Sequence, residues 1–310
     1  MSTTPLVSIC CLTYNHAPFL RDCLEGFLAQ QTTFPIEILI HDDASTDGTD
    51  AIIRQYTAQH PDIIFPLYET ENQYSRGYAG KMDIVFNYSR ARGKYIAYCE
   101  GDDYWTDPLK LQRQVDFMES HPDYSVCFHR CKRLNTRTGK TVNDRCWRFL
   151  SAGQEGTDIT VDMYLSSWIT QPLTMLFRRD SFDPRWQQRY RHYRDMHEIY
   201  HLLNAGRGYL FAFFGGIYRL HAGGIASQIS QAEYCRVSLP MDREFYHKTH
   251  HPQARRIYGA TLQNCVNVYA PISRCRAIYY AIVEFAVNRR YKTFGKNIIK
   301  IFKSRKTDGK

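Results

Sequence analysis

The first hundred residues alternate between short apolar runs and longer stretches with apolar residues at helical spacing. Residues 7–12 form a partly β-branched apolar run that is typical of a buried strand, and a helical pattern follows from Pro18. A second apolar run at residues 36–40 leads into a helical segment over residues 49–59. Strands and helices that alternate at this spacing predict a mostly parallel central sheet, flanked by helices and joined by right-handed crossovers.

The same pattern continues along the chain and then changes. We predict further strands at residues 63–67, 95–99, 125–131, 172–177, 208–213 and 217–220, and further helices at residues 81–89, 108–118 and 195–204. The polar, glycine-containing stretch 135–157 is interpreted as a loop or flap, and beyond residue 231 the pattern is mostly helical. We therefore expect an α/β domain over residues 1–230 and a helical extension over residues 231–310.

Composition and charge place limits on the protein class. The 310 residues are 44% hydrophobic and 23% charged, as in soluble globular proteins. We find no apolar run of the ~18 residues needed to span a bilayer, and the first five residues lack the features of a secretory signal. A cytoplasmic protein is therefore expected. Residues 271–310 contain eleven basic and two acidic residues, so this segment carries a charge equal to the whole net charge of +9.

The candidate chemistry begins where the predicted strand at residues 95–99 ends. Glu100, Asp102 and Asp103 follow it directly. Three carboxylates at a strand end suit a divalent cation such as Mg²⁺ or Mn²⁺, which prefers hard oxygen ligands and often lies between carboxylates and phosphates. The alternative is that these acids cap the helix that follows or lie in solvent.

A second acidic strand end lies earlier in the chain. Asp42 and Asp43 follow the strand at residues 36–40. Because open α/β sheets bind ligands at the carboxyl ends of their strands, the two acidic ends predict one shared crevice. A carboxylate can accept the imide N–H of uracil or a ribose hydroxyl, although these acids can also simply form a turn and cap a helix. The other nucleotide-binding candidates are Thr13, Tyr14 and Asn15, which end the first strand, and Gly101.

Five motifs follow one another along the chain. They are Val7-Ser-Ile-Cys-Cys-Leu-Thr-Tyr-Asn15, Asp42-Asp43-Ala-Ser-Thr-Asp47-Gly48-Thr49, Gly93-Lys-Tyr-Ile-Ala97, Glu100-Gly-Asp-Asp103 and the late Tyr218-Arg219-Leu-His221 segment. Together they resemble the successive motifs of glycosyltransferase family 2. The resemblance runs in order over roughly residues 5–228. It implies a Rossmann-like GT-A fold with a nucleotide-sugar half over about residues 1–105 and an acceptor half over about 106–230.

The resemblance also implies a chemistry. Family members invert the anomeric centre and use a nucleotide-diphosphate sugar, here expected to be a UDP-sugar with Mn²⁺ or Mg²⁺. Glu100, Asp102, Asp103 and His221 are then the metal-ligand candidates, although the family commonly has Asp where this chain has Glu100. Asp195 is the first choice for the general base and Glu198 the second, because they resemble the family's acidic residue at the head of a late helix. The alternative is two acids that favour a helix N-terminus.

Four further side chains are candidates for contact with phosphate or acceptor groups: Tyr74, Arg76, Lys81 and Arg178. The expected acceptor is a hydroxyl of a glycan or of a polyprenyl-diphosphate-linked saccharide in surface polysaccharide synthesis. The basic C-terminal segment permits an amphipathic helix on the anionic inner face of the cytoplasmic membrane, or a helix packed on its own domain with a solvated basic face.

Three other functions remain open at this point. A nucleotidyltransferase shares the sheet and the metal, but residues 13–20 contain no glycine for a phosphate loop after the first strand. A module that binds nucleic acid or another polyanion would use the basic tail and leave the acidic strand ends unexplained, so no nucleic acid partner is expected. A non-catalytic nucleotide-sugar-binding relative is the third.

Overall fold

The structure is a computed structural model that describes residues 4–167, 169–224 and 230–304. The chain folds as two compact units. Residues up to Arg189, together with Tyr193–His221, form the first unit, and Tyr190–His192 with the residues from Ala222 onward form the second.

One mixed sheet organises the first unit. Its strands are β1 (Val7–Thr13), β2 (Ile36–Asp42), β3 (Ile64–Tyr68), β4 (Tyr95–Tyr98), β5 (Tyr104–Trp105), β6 (Tyr124–Asn135), β7 (Thr141–Asn143), β8 (Gly156–Ile159), β9 (Leu176–Arg178) and β10 (Arg207–Leu220). The order across the sheet is β3-β2-β1-β4-β9-β6-β10-β5, with β7 paired to β6 and β8 to β10. The first four of these strands are parallel, as predicted. Strand β9 runs antiparallel between β4 and β6, and β6 and β10 are parallel to each other.

Helices cover this sheet and form the second unit. Those of the first unit are α1 (Leu20–Leu28), α2 (Thr49–Gln59), α3 (Met82–Phe86), α4 (Lys110–Ser120), α5 (Val161–Ser167) and α6 (Asp195–Ala205). Those of the second unit are α7 (Gln231–Thr249), α8 (Pro252–Tyr269), α9 (Arg274–Asn288) and α10 (Tyr291–Lys303). The predicted α/β class with a helical C-terminal region is confirmed. Within the described residues, no helix is both long and apolar enough to cross a membrane.

The core of the first unit lies on both faces of β1. This strand is buried along almost its whole length, as expected for a central parallel strand covered by helices. Helix α1 places its apolar stripe against it, with Leu20, Leu24 and Phe27 fully buried. Gly26 on this helix allows a close approach to β5, because a Cβ there would lie 2.7 Å from the carbonyl oxygen of Trp105. The loop that carries the predicted metal ligands is therefore held between α1 and β4.

The late strands differ from the prediction. Two strands were expected at residues 208–213 and 217–220, but β10 is continuous and crosses the interruption with irregular register near Phe214 and Gly216. The apparent break came from the Phe-Phe-Gly-Gly sequence, which breaks the alternation of apolar and polar residues. Gly215 is required by packing, because a Cβ there would lie 2.7 Å from Nδ1 of the buried His129.

Two other segments were also predicted incorrectly. The stretch 135–157, interpreted as a loop or flap, contains β7 and the beginning of β8, which add to the edges of β6 and β10. The strand expected at residues 172–177 is restricted to Leu176–Arg178. Pairing with strands distant in sequence decides the conformation of β8 and β9, and the local pattern does not reveal such pairing.

Candidate active site

The carboxyl ends of β1, β2 and β4 meet at one edge of the sheet. Thr13 lies opposite Asp42 in the register of β1 and β2. The chain after each strand continues the pairing, since the amide of Asp43 donates to the carbonyl of Thr13 at 3.0 Å and that of Gly101 donates to Leu12 at 2.9 Å. The two acidic strand ends predicted from the sequence are thus brought together.

The loop after β2 is held by its own polar side chains. The Asp42 carboxylate is buried and accepts hydrogen bonds from the Thr13 hydroxyl at 3.0 Å and the Ser45 hydroxyl at 2.5 Å. Asn15, in the left-handed region at φ 54°, accepts from the amide of Thr46 at 2.8 Å. Tyr14, between these residues, is 47% exposed. This edge therefore offers a fixed backbone and one open aromatic ring.

Asp43 stabilises a more distant loop. Its two carboxylate oxygens accept from the backbone amides of Gln73 at 2.5 Å and Tyr74 at 3.1 Å. Asp42 and Asp43 therefore both stabilise loops, as the alternative interpretation of these two acids predicts. A carboxylate has about four acceptor positions, so both acids keep capacity for a ligand.

Glu100, Asp102 and Asp103 form a cluster in which one carboxylate oxygen from each lies within 4.8 Å of the others. His221 Nε2 donates to Asp102 Oδ2 at 2.9 Å. The other oxygen, Asp102 Oδ1, is buried and has no hydrogen-bond partner among the described residues. A buried carboxylate oxygen without a partner is costly. The donor set, hard oxygens with one imidazole beside them, fits Mg²⁺ or Mn²⁺.

The carboxylates of this cluster perturb one another. Burial and then the charge of Asp102 raise the pKa of Glu100 to about 8. The same two causes raise the pKa of Asp103 well above its usual range. Burial also opposes ionisation of Asp102, but the hydrogen bond from His221 and the proximity of His16 outweigh it, and the pKa of Asp102 is lowered. Asp102 is therefore the most readily ionised member of the cluster.

Helix α6 supplies two further acids. Asp195 is its first residue, is partly exposed, and accepts from the amide of Met196 at 2.9 Å. Burial of its carboxyl raises the pKa of Asp195. Glu198 is buried and accepts from the Tyr88 hydroxyl at 2.9 Å. Burial raises the pKa of Glu198 from 4.5 to about 8, with a further contribution from Asp195.

The sequence of this chain matches a known protein family over most of the first unit. Residues 8–202 match glycosyl transferase family 2. The chain belongs to this family. The resemblance carried by the five motifs is confirmed, and with it the GT-A fold.

Relatives of this family 2 chain include both uncharacterised and named proteins. An uncharacterised protein of Mycobacterium tuberculosis is 39% identical over 180 residues, which are 57% of this chain and 48% of that protein. A UDP-Glc:alpha-D-GlcNAc-diphosphoundecaprenol beta-1,3-glucosyltransferase of Escherichia coli is 36% identical over 115 residues, which are 37% of this chain and 42% of that enzyme. The chain thus spans about half the length of the curated relatives that it matches.

Solved structures share the fold at low identity. TarS 1-349 of S. aureus, in complex with UDP-GlcNAc, matches with a TM-score of 0.65 at 17% identity and covers 95% of this chain and 88% of that one. A mannosyltransferase from Pyrobaculum calidifontis, in complex with GDP-Man and Mn²⁺, matches with a TM-score of 0.51 at 14% identity, over 97% and 85% of the two chains.

Arg219 is a component of this family 2 site whose contacts the sequence did not reveal. Its amide donates to Asp103 Oδ1 at 2.8 Å, and its guanidinium donates to the carbonyl of Asp102 at 2.9 Å and pairs with Asp22. The guanidinium also lies 4.1 Å from the centre of the Tyr104 ring. The late Tyr-Arg-x-His motif was a signal for Arg219, but the residue was not assigned a role.

Asp83 is a second residue that the sequence analysis did not single out. It lies in α3, and its carboxylate accepts from the Asn87 amide group at 3.4 Å. Burial, followed by the charges of Glu198 and Glu100, raises the pKa of Asp83 well above its usual range. Acids from α3, α6 and the end of β4 therefore share one region of the first unit.

The four phosphate or acceptor candidates lie in different places. Lys81 immediately precedes α3, close to this acidic region in sequence, and is partly buried. Tyr74 donates its amide to Asp43, and Arg76 forms an exposed ion pair with Glu71. Arg178 donates to the Tyr95 hydroxyl at 3.0 Å, at the beginning of β4 and thus at the opposite end of that strand from the acidic cluster. Its contacts are those of a structural residue.

We predict that Glu198→Gln makes stability less dependent on pH. The folded protein holds the proton of Glu198 up to about pH 8, whereas an unfolded chain releases it near 4.5. Between these values the unfolded state binds fewer protons, so stability falls as pH rises, by about 1.4 kcal/mol per pH unit for one group. Denaturant unfolding at several pH values should show a shallower fall for the variant. An unchanged slope would contradict the raised pKa. Glu233→Gln, in the first turn of α7 and only partly buried, is the control.

Proposed function

We propose that this protein is an inverting, metal-dependent glycosyltransferase that moves a sugar from a nucleotide-diphosphate sugar, expected to be a UDP-sugar, to a hydroxyl group. The observation that carries the proposal is the buried, unpartnered Asp102 oxygen within the cluster of Glu100 and Asp103. It lies where the carboxyl ends of parallel strands meet in a family 2 chain. The UDP-GlcNAc in the TarS structure and the GDP-Man and Mn²⁺ in the Pyrobaculum calidifontis mannosyltransferase structure support a nucleotide-sugar donor and a cation.

Asp102 would hold the cation, with His221, Glu100 and Asp103 beside it as further ligands or hydrogen-bond partners. Bound there, Mn²⁺ or Mg²⁺ supplies a Lewis acid that neutralises charge on a departing diphosphate. Asp102 suits this role because its pKa is lowered, whereas the raised pKa values of Glu100 and Asp103 mean that a metal would compete with protons for these two acids.

The nucleotide would lie along the ends of β1 and β2. Thr13, Tyr14 and Asn15 border this edge, with Asp42 and Asp43 behind them as acceptors for nucleobase or ribose donors. Gly101 keeps the chain close to β1, since a Cβ there would lie 2.6 Å from the Thr13 methyl group. Lys81 is the proposed phosphate contact from the other side.

Asp195 is the proposed general base and Glu198 the second choice. With a pKa of about 8, Glu198 holds its proton near neutral pH and cannot accept another, and its oxygen is occupied by Tyr88. Asp195 is partly exposed at the start of α6, whereas Glu198 is buried, so Asp195 is the better candidate for contact with an acceptor hydroxyl. The hydroxyl proton passes to Asp195 as the acceptor oxygen bonds to the anomeric carbon, and the bond from that carbon to the diphosphate breaks on the opposite side.

The proposed acceptor is a glycan or a polyprenyl-diphosphate-linked saccharide used in surface polysaccharide synthesis. The name of the Escherichia coli relative specifies a diphosphoundecaprenol-linked acceptor. A Bacillus subtilis relative, 34% identical over 114 residues, is named as a putative teichuronic acid biosynthesis glycosyltransferase. These names support the acceptor class and not a particular sugar or linkage.

An anionic membrane surface is the proposed partner of the second unit. Helix α10 buries Ile301 in this unit but leaves Ile299 56% exposed and Phe302 60% exposed. Lysines 292, 296, 300 and 303 lie on the same helix. Exposed apolar side chains beside basic ones are the features of a helix that lies in a lipid interface. Arg305, Lys306 and Lys310 of the basic segment lie outside the described residues.

We predict that UDP binding requires Mn²⁺ and Asp102. Without the Asp102 carboxylate the cluster loses its most readily ionised ligand, so Asp102→Ala should weaken metal-dependent UDP binding about tenfold or more. Calorimetric titration of UDP with and without Mn²⁺ measures this, and Asp116→Ala, an exposed carboxylate on α4, is the matched control. UDP binding that is equally tight without Mn²⁺ would refute the metal dependence. If UDP does not bind, the same titration with GDP and dTDP decides whether the nucleotide or the whole donor site was misassigned.

We predict that Asp195→Asn lowers kcat by about 10²-fold or more while donor binding is kept, because an amide cannot accept the proton. Glu198→Gln should retain most of the activity near neutral pH, since an amide resembles the protonated acid. The wild-type rate should rise with pH through the raised pKa of Asp195, because only the ionised form is a base. Initial rates from pH 5 to pH 9 measure both effects. Loss of activity in the Gln variant with retention in the Asn variant would reverse the assignment.

We predict that the protein cosediments with phosphatidylglycerol vesicles and not with phosphatidylcholine vesicles, and that salt weakens this binding. Ile299→Ser combined with Phe302→Ser should reduce it, because the apolar contact is lost. Val142→Ser, at a residue 56% exposed in the first unit, is the control. Equal binding by the double variant would exclude this face of α10.

A further inference from the structure

A cavity of about 210 Å³ in the first unit is not explained by the proposed donor site. It is lined by Arg133, Asp144, Arg145, Ser167, Ile169 and Gln171. Its walls come from the end of β6, from the short segment after β7, and from the chain that follows α5. All of these belong to the part of the chain predicted to form the acceptor half.

The cavity lies near the acidic region, as the pairing of two strands indicates. Arg133 on β6 lies opposite Tyr218 in the register with β10, one residue before Arg219. Burial raises the pKa of Tyr218, the charges of Glu100, Asp103 and Asp102 raise it further, and Arg133 opposes them. The Tyr218 side chain is therefore within electrostatic reach of the carboxylate cluster on one side and of Arg133 on the other. A group bound in the cavity would be held close to the proposed reaction centre.

The charge in the cavity is unbalanced. Asp144 is already satisfied, because it accepts from Arg130 at 3.2 Å and from the amides of Cys131 and Cys146 at 2.8 and 3.0 Å. Arg133 Nε is buried without a hydrogen-bond partner, and neither the Arg133 nor the Arg145 guanidinium forms an ion pair among the described residues. Two guanidinium groups thus remain available to a ligand.

A larger cavity elsewhere on the first unit differs from this one because most of its cationic side chains are paired. It measures about 500 Å³ and is also lined by cationic residues, including Arg92, Lys94 and Arg179. There, Arg92 is paired with Glu37 at 2.7 Å and Lys94 with Glu119 at 2.8 Å. Its charges are largely neutralised within the protein, and it therefore offers less attraction to an anion than the smaller cavity does.

We infer that Arg133 and Arg145 bind a phosphate group carried by the acceptor, so that the substrate class is a phosphorylated or phosphate-linked glycan. This inference rests on the proposed function. Guanidinium groups bind phosphate through paired, charge-assisted hydrogen bonds. The cavity is smaller than most pockets for a whole drug-sized ligand, about 300 Å³ or more, so it suits one charged group of a larger acceptor. The phosphate belongs either to a polyprenyl diphosphate or to a water-soluble phosphodiester glycan.

Binding of two simple phosphates to the intact chain tests the inference. Glycerol 3-phosphate represents the soluble source and farnesyl phosphate the lipid source, with glycerol and farnesol as uncharged controls. Ligand-observed NMR in EDTA excludes binding through a metal at the acidic cluster, which repels phosphate when no cation is bound. We expect both phosphates to bind and neither alcohol to do so. If farnesyl phosphate binds about tenfold or more tightly than glycerol 3-phosphate, the source of the phosphate is lipid-linked. If the two compounds bind with similar affinity, the source is soluble.

Arg133→Gln and Arg145→Gln should each weaken phosphate binding by about tenfold or more, because each removes a charge-assisted donor. Arg137→Gln, an exposed arginine on the turn between β6 and β7, is the matched control and should bind as the wild type does. Arg145 is exposed, so its variant tests the cavity even if Arg133→Gln fails to fold. Phosphate binding that is absent, or unchanged in Arg145→Gln, would overturn the inference.

The titration of UDP with Mn²⁺ separates this result from the proposed function. If UDP binding is intact while neither phosphate binds, the phosphate site is wrong and the donor site stands. If neither UDP nor any other nucleotide binds while the phosphates do so through Arg145, the phosphate site stands and the glycosyltransferase proposal fails. In an active preparation, Arg145→Gln should also raise the KM for a phosphate-bearing acceptor and leave the KM for the donor unchanged.

Discussion

The concentration of negative charge at the end of β4 is the constraint on which the rest of the site depends. Glu100, Asp102 and Asp103 are forced together because the strand is buried and the chain must turn immediately beyond it. Like charges at this separation oppose ionisation unless something compensates them. The protein compensates in part with residues near the end of β10, where Arg219 binds the Asp102 carbonyl and His221 binds the Asp102 carboxylate. A divalent cation would complete the compensation.

The neighbouring residues do not compensate all the acids equally, so the pKa values of the acids are shifted in different directions. The hydrogen bond from His221 and the proximity of His16 lower the pKa of Asp102, whereas burial raises the pKa of Glu100 and Glu198 to about 8. Pairs of acids whose environments push their pKa values apart are typical of acid–base sites. A proposed metal ligand with a lowered pKa, acids with raised pKa values, and a partly exposed acid at a helix start therefore coexist in the first unit.

Strands β6 and β10 link the proposed metal site with the small cavity. They are the longest strands of the described chain and run parallel, so residues near their carboxyl ends lie side by side. The end of β10 supplies Arg219 to the acidic cluster, and Arg133, which lies opposite Tyr218 on β6, lines the small cavity. The proposed acceptor contact and the proposed metal site thus depend on the same pairing. A change in the register of β10 would be expected to disturb both.

The sequence by itself determined the parallel first half of the sheet, the helical C-terminal region and the positions of the acidic strand ends, because these follow from local alternation and from polar residues placed directly after buried runs. Only the tertiary structure decided the continuity of β10, the edge strands β7 and β8, and the contacts of Arg219, Asp83 and Arg133. Arg219 reaches Asp102 and Asp22 across more than a hundred residues of chain. Such contacts produce no periodic pattern in the local sequence, because they depend on which strands become neighbours. The order of the strands depends in turn on burial of the whole sheet.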